Sequence, residues 1–120
     1  MNIIVTGSTG FIGKNFINYL LKKRLKNKIY AFYNKTIPNK NIKKVKFIKY
    51  KLNKKSNLKI INSKSRVIHL AWDYIPNYTT IRHKTIHLKH QKKFIKQILE
   101  RKPRSLFVMG TCFEYGFPFK

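Results

Sequence analysis

The chain has 120 residues, of which 42% are hydrophobic, which suits a single globular domain with a modest core. Its 28 Lys and Arg against 3 Asp and Glu give a formal net charge of +25, so phosphate polyanions are attracted at low salt. No run approaches the roughly 18 apolar residues of a membrane span, the N-terminus enters a strand with no secretory segment, and the single Cys112 excludes an internal disulfide; the expectation is a cytoplasmic protein with no membrane partner.

Asn2 to Thr6 is rich in Ile and Val and reads as a short buried strand ended by Gly7. Apolar residues then recur at helical spacing from Phe11 to about Leu25, through Ile12, Phe16, Ile17, Leu20 and Leu21. Lys28 to Tyr33 is a second strand. A Lys-rich loop with Pro38 follows, then a strand near Val45 to Leu52, a helical turn at Leu58 to Ile61 and a strand at Arg66 to Leu70. A long helix is expected from about Thr80 to Arg101 with an apolar stripe of Ile81, Leu88, Ile95 and Leu99, and a last strand at Leu106 to Met109. Strands alternating with helices predict an α/β fold, a Rossmann-like, doubly wound parallel sheet. With no repeat and no linker, residues 1–120 read as one domain.

All five glycines fall in two motifs, Gly7, Gly10 and Gly13 in TGSTGFIG and Gly110 and Gly116 in GTCFEYG. Glycine is kept where a backbone needs positive φ or close approach. The order strand, glycine turn, amphipathic helix is that of a dinucleotide-binding βαβ unit. Gly7 would turn the chain off the strand, Gly10 would leave room for a pyrophosphate, and Gly13 would let the helix lie close on the sheet. The positive end of the helix dipole would face the phosphates.

The spacing Gly-x-x-Gly-x-x-Gly resembles the short-chain dehydrogenase/reductase superfamily, and TGSTGFIG its extended branch, the NAD-dependent epimerases, dehydratases and reductases of nucleotide sugars. Two further segments arrive in that family's order. Arg66 to Trp72, RVIHLAW, is similar to the strand that passes under the nicotinamide ribose, and Leu106 to Gly116, LFVMGTCFEYG, to the strand and loop carrying a catalytic Ser/Thr. With Pro76, Asn77 and Tyr78 between them, the pattern resembles the group acting in polysaccharide biosynthesis. The resemblance spans nearly the whole chain but only the N-terminal part of the family's length, without its substrate lobe.

That resemblance implies a cofactor, NAD or NADP, with Gly7, Thr9, Gly10, Phe11, Ile12 and Gly13 around its pyrophosphate and Leu70 and Ala71 behind its nicotinamide ribose. It places Thr111 at the catalytic Ser/Thr position, against the sugar oxygen of a nucleotide diphosphate sugar substrate. The ribose would be read after the second strand, at Tyr33, Asn34 and Lys35, where the lack of a carboxylate leans slightly towards NADP. Lys51 and Leu52 stand where family members commonly carry an Asp before Leu, a departure that bears on adenine binding.

The family's proton-transfer pair, Tyr-x-x-x-Lys on a later helix, has no counterpart in its expected place. Tyr19 with Lys23 falls in the first helix and Tyr50 with Lys54 in a strand, so both matches are discounted. The expected function is therefore the cofactor-binding portion of a nucleotide-sugar epimerase, dehydratase or reductase, catalytically incomplete alone. The alternatives are a non-catalytic dinucleotide-binding fragment and a basic nucleic-acid-binding protein. Against the last, the lysines run through loops, helices and strands alike instead of forming one stripe, and the aromatics form no base-stacking motif; nonspecific polyanion binding is expected. Apolar strand edges that the later part of the family's fold covers would be exposed, and the partners expected are a second copy of the chain in a homodimer or the missing C-terminal portion.

His83, His87 and His90 share one helix face at a spacing that can hold zinc. No fourth ligand is apparent and Lys84 and Lys89 repel a cation, so these histidines read as a polar flank and no metal is expected. No His or acid in the local sequence is placed to activate Cys112. His69 reads as structural or cofactor-adjacent, and Asp73 as a ribose or substrate contact or a turn acid.

Overall fold

Ile3, Ile4 and Val5 are all buried, because β1 (Asn2–Thr6) is covered on both faces; this is why its sequence is a continuous apolar run and not an alternating one. In the computed structural model, which describes residues 1–23, 25–38, 42–54, 57–72, 77 and 79–110, β1 lies at the centre of a parallel sheet. It pairs with β2 (Lys28–Tyr33) on one side and β4 (Ser65–His69) on the other. The edges are β3 (Val45–Lys49), paired with β2, and β5 (Ser105–Val108), paired with β4, giving the order β3-β2-β1-β4-β5. This is the expected Rossmann-like doubly wound sheet.

The period-2 alternation of side chains divides the core in two. On one face Ile3, Val5, Ile29, Ala31 and Val45 pack with Ile17 and Leu20 of α1 (Phe11–Lys22). On the other, Ile4, Phe32 and Val67 pack with Phe94 and Ile98 of α2 (Leu88–Leu99) and with Tyr50, Leu52, Leu58 and Ile61. Phe32, Tyr50 and Phe94 form a tilted aromatic row with successive centroids 5.3 Å apart.

β1 and β2 have the expected ends. β3 stops at Lys49 instead of running to Leu52. The Tyr50 N–H donates to the Tyr33 carbonyl, and the chain then turns so that both Tyr50 and Leu52 drop into the α2-side core. At Leu58 to Ile61 the expected turn is closed by the Ile61 N–H on the Leu58 carbonyl.

The long helix departs most from expectation. It opens as a π-helical turn at His83–His87 and becomes α-helical only at Leu88. Its buried face is His87, Gln91, Phe94 and Ile98, whereas Ile81, Leu88 and Leu99 of the expected stripe are exposed and Ile95 is half-buried. The wide turn carries an extra residue, which shifts the face presented to the sheet, and Gln91 finds hydrogen-bond partners on that face. The histidines are accordingly not a uniform polar flank, since His87 is buried.

Among the described residues β5 is poorly covered: Leu106 packs on the α2-side core, while Phe107 and Val108, and Met109 just beyond the strand, are exposed. No helix among the described residues is long and apolar enough to cross a membrane.

Candidate functional site

After two strands laid down to one side of β1, the chain returns to its other side with β4. At such a reversal the C-terminal ends of adjacent strands diverge and leave a crevice. The TGSTGFIG turn sits at its mouth.

Gly7 has φ +65°, and a Cβ there would lie 2.9 Å from both the Ala71 nitrogen and the Leu70 carbonyl carbon. The turn off β1 therefore requires glycine on two grounds, the left-handed backbone and the close approach of the chain leaving β4. The Gly10 N–H donates to the Gly7 carbonyl at 3.0 Å, closing the turn. Ser8 fastens it laterally: its N–H and its hydroxyl both donate to the Phe32 carbonyl in β2, at 3.2 and 2.9 Å.

The helix then begins with Gly10 as N-cap, without a capping side chain and without an acid in its first turn. Its opening amides are left to whatever approaches, and the dipole favours an anion there. Phe11 is 84% exposed and Ile12 is exposed as well, so the first two apolar positions of α1 are rim and not core. Gly13 is buried against the turn, where a Cβ would lie 2.8 Å from Ser8 Cα.

Thus Gly7, Thr9, Gly10, Phe11, Ile12 and Gly13 form one continuous rim, with Leu70 and Ala71 against it. Asn34, half-buried, and Lys35, exposed, follow the end of β2 beside the strand that anchors Ser8. Thr111 and the rest of GTCFEYG after Gly110, with Asp73, Pro76 and Tyr78, lie outside the described residues.

Behind the rim is a buried polar chain. His69, at the end of β4, has its Nδ1 2.7 Å from Thr6 Oγ1 and its Nε2 2.6 Å from Gln91 Oε1. Gln91 Nε2 donates to the Ala71 carbonyl at 2.7 Å, and the Leu70 and Ala71 N–H groups donate to Thr6 Oγ1 at 3.2 and 3.3 Å. Burial holds the His69 imidazole below its ordinary value, outweighing the Gln91 hydrogen bond, which pulls the other way.

In the sequence Thr6 reads only as a strand end, and no motif marks Ser8 or Gln91. Gln91 had a faint signal, a lone amide in register with Phe94 and Ile98 on a helix face.

The other histidines do different work. Trp72 Nε1 donates to His83 Nδ1 at 3.0 Å, and His83 Nε2 lies 2.9 Å from the Asn77 carbonyl, tying the segment after β4 to the π-helical turn. His83, His87 and His90 approach as rings, at 5.4 and 6.4 Å between centroids. Among the described residues no group of three His, Cys, Asp or Glu could hold a metal ion. Lys23 lies over the Tyr19 ring, 5.4 Å from its centroid, at the exposed end of α1. At the opposite end of the sheet, Lys26, Lys28, Lys43, Lys44 and Lys46 line an open groove of about 690 Å³ beside Tyr30.

Residues 3–119 match the family described as NAD dependent epimerase/dehydratase family. The dTDP-6-deoxy-L-talose 4-dehydrogenase (NAD(+)) of Aggregatibacter actinomycetemcomitans is 26% identical over 98% of this chain and 44% of its own length. UDP-glucuronic acid 4-epimerase from Bacillus cereus, solved in complex with NAD, superposes with a TM-score of 0.73 at 20% identity, over 98% of this chain and 41% of that one. dTDP-glucose 4,6-dehydratase from Bacillus anthracis, also in complex with NAD, gives 0.66 at 24% identity, over 100% and 40%. The chain spans about two-fifths of the length of these relatives.

Proposed function

The chain belongs to the NAD-dependent epimerase/dehydratase family, as its N-terminal, cofactor-binding part, and from that premise we propose that residues 1–120 form the dinucleotide-binding domain of an enzyme that oxidises or reduces a sugar carbon of a nucleotide diphosphate sugar. The observation that carries this reading is the Gly7 turn, held at positive φ against the Leu70–Ala71 backbone at the reversal point of the sheet. A cradle that a Cβ would fill, opening onto an uncapped helix N-terminus, fits a pyrophosphate.

In this reading the amides of Phe11 and Ile12 at the start of α1 bind the pyrophosphate, their exposed side chains shield it from water, and Leu70 and Ala71 back the nicotinamide ribose. The nicotinamide, when bound, supplies a hydride acceptor or donor. Thr111 hydrogen-bonds the reacting sugar hydroxyl and holds it in line. Within these 120 residues no Tyr-x-x-x-Lys pair stands in the family's place, so the part proposed for them is cofactor binding. Relatives carry or are named for NAD, and NAD is the cofactor of this reading; exposed Lys35 can also meet the 2′-phosphate of NADP.

Calorimetric titration of the folded chain with NADH and NADPH at about 0.15 M salt tests the reading, since nonspecific charge attraction is weakened there. Saturable one-to-one binding is expected. A folded chain that binds neither overturns it.

A further inference from the structure

The buried chain of hydrogen bonds behind the rim runs in one direction only. The Ala71 carbonyl can only accept, so the Gln91 amide must point its NH₂ there and its Oε1 at His69. Oε1 can only accept, so His69 carries a proton on Nε2. The buried ring is neutral, which leaves Nδ1 a bare acceptor that receives the Thr6 hydroxyl proton. The two lone pairs of Thr6 Oγ1 then take the Leu70 and Ala71 N–H groups.

Each donor in this set has one acceptor, and no other proton arrangement achieves that. With the proton on Nδ1, His69 Nε2 and Gln91 Oε1 become two acceptors 2.6 Å apart. Flipping the amide moves the conflict to Oε1 against the Ala71 carbonyl, 2.7 Å away. Unmatched polar atoms buried at such distances cost as much as a lost hydrogen bond or more.

The relay starts on α2, crosses β4 and ends on β1, yet both of its ends grip the same short stretch, Leu70–Ala71. That stretch lies 2.9 Å from the place a Gly7 Cβ would occupy. We propose that Gln91, His69 and Thr6 are positioning residues, a hydrogen-bond relay that fixes the Leu70–Ala71 backbone beneath the Gly7 turn and so sets the floor of the cofactor crevice. Its role in binding rests on the dinucleotide reading above, whereas the relay itself does not.

The test uses the whole chain. Long-range proton–nitrogen NMR on ¹⁵N-histidine protein at neutral pH identifies the His69 tautomer, assigned by its loss in His69→Gln. Amide exchange is followed at Leu70 and Ala71, with Ala31 in β2 as reference, and NADH affinity in parallel. The Nε2–H tautomer is expected. In Thr6→Val, exchange at Leu70 and Ala71 rises about tenfold, the effect of one buried hydrogen bond, Ala31 is unchanged, and NADH affinity falls; Thr6→Ser restores both the protection and the affinity.

An Nδ1–H tautomer, or unchanged exchange in Thr6→Val, overturns the relay. If Thr6→Val does not fold, the tautomer in the unaltered chain decides alone. A chain with the Nε2–H tautomer and protected Leu70 and Ala71 amides that fails to bind NADH would sink the dinucleotide reading and leave the relay standing. Binding of NADH with the Nδ1–H tautomer would do the reverse.

Discussion

Gly13 lies on Gly7: a Cβ on Gly13 would come within 2.9 Å of the Gly7 carbonyl carbon and nearer still to its oxygen. Helix α1 can approach the sheet this closely only with no side chain at that point. Because the obstruction is backbone, no rotamer change relieves it. Gly13→Ala should therefore cost about 1–3 kcal/mol despite alanine's better helix propensity and should weaken NADH binding, because the turn must shift. Asn18→Ala, on the exposed face of the same helix, should be neutral or slightly stabilising. Urea unfolding of the two variants checks the contrast.

The lowered pKa of His69 makes stability depend on pH. Burial favours its neutral imidazole in the folded chain, while the unfolded chain takes up a proton as pH falls through about 6.5. The unfolded state binds more protons in the window between the folded and unfolded values, so stability drops as pH falls through that window and is recovered above it. The ring is faced by Thr6 from β1 and by Gln91 and Phe94 from α2, all neutral, with His87 a turn earlier on the same buried face. Melting temperatures should fall from pH 7.5 to 5.5, and the fall should be smaller in His69→Gln, which has no proton to gain there.

Lys35 follows the end of β2, exposed and with no acid beside it in sequence. Lys35→Glu should weaken NADPH binding severalfold by placing a carboxylate against the 2′-phosphate, with little effect on NADH. Parallel fluorescence titrations measure both. Equal losses for the two cofactors would remove Lys35 from the ribose.

The charge of +25 predicts two salt dependences of opposite sense. Binding of heparin or duplex DNA should collapse as salt rises from about 0.05 to 0.2 M through counterion release. Folding stability should rise over the same range as repulsion among lysines is screened. NADH binding, which uses few charge contacts, should change far less than binding of the polymers.

Much of this fold is legible in the sequence because its signals are local. Ile3 to Val5 bounded by Gly7, and the run Ile29 to Tyr33, mark buried parallel strands by themselves, and Gly7, Gly10 and Gly13 mark the turn by spacing. What was not legible depends on distant partners. α2 buries Gln91 in preference to Leu88 and Leu99 because the groups that satisfy Gln91 lie on β4 and just after it, about twenty residues away. An apolar stripe counted along the helix could not reveal that, nor the wide turn at His83–His87 that rotates its face. The role of Ser8 is illegible for the same reason, since its acceptor is the Phe32 carbonyl on another strand.

In the proposed enzyme the cofactor sits at the Gly7 turn. Amide chemical-shift mapping during NADH titration reads it most directly. Shifts confined to Gly7 through Gly13, Asn34, Lys35, Leu70 and Ala71 are predicted. Shifts concentrated instead in the groove of Lys26, Lys28, Lys43, Lys44 and Lys46 at the opposite end of the sheet, with the glycine turn silent, would contradict it and mark the chain as a binder of phosphate charge alone.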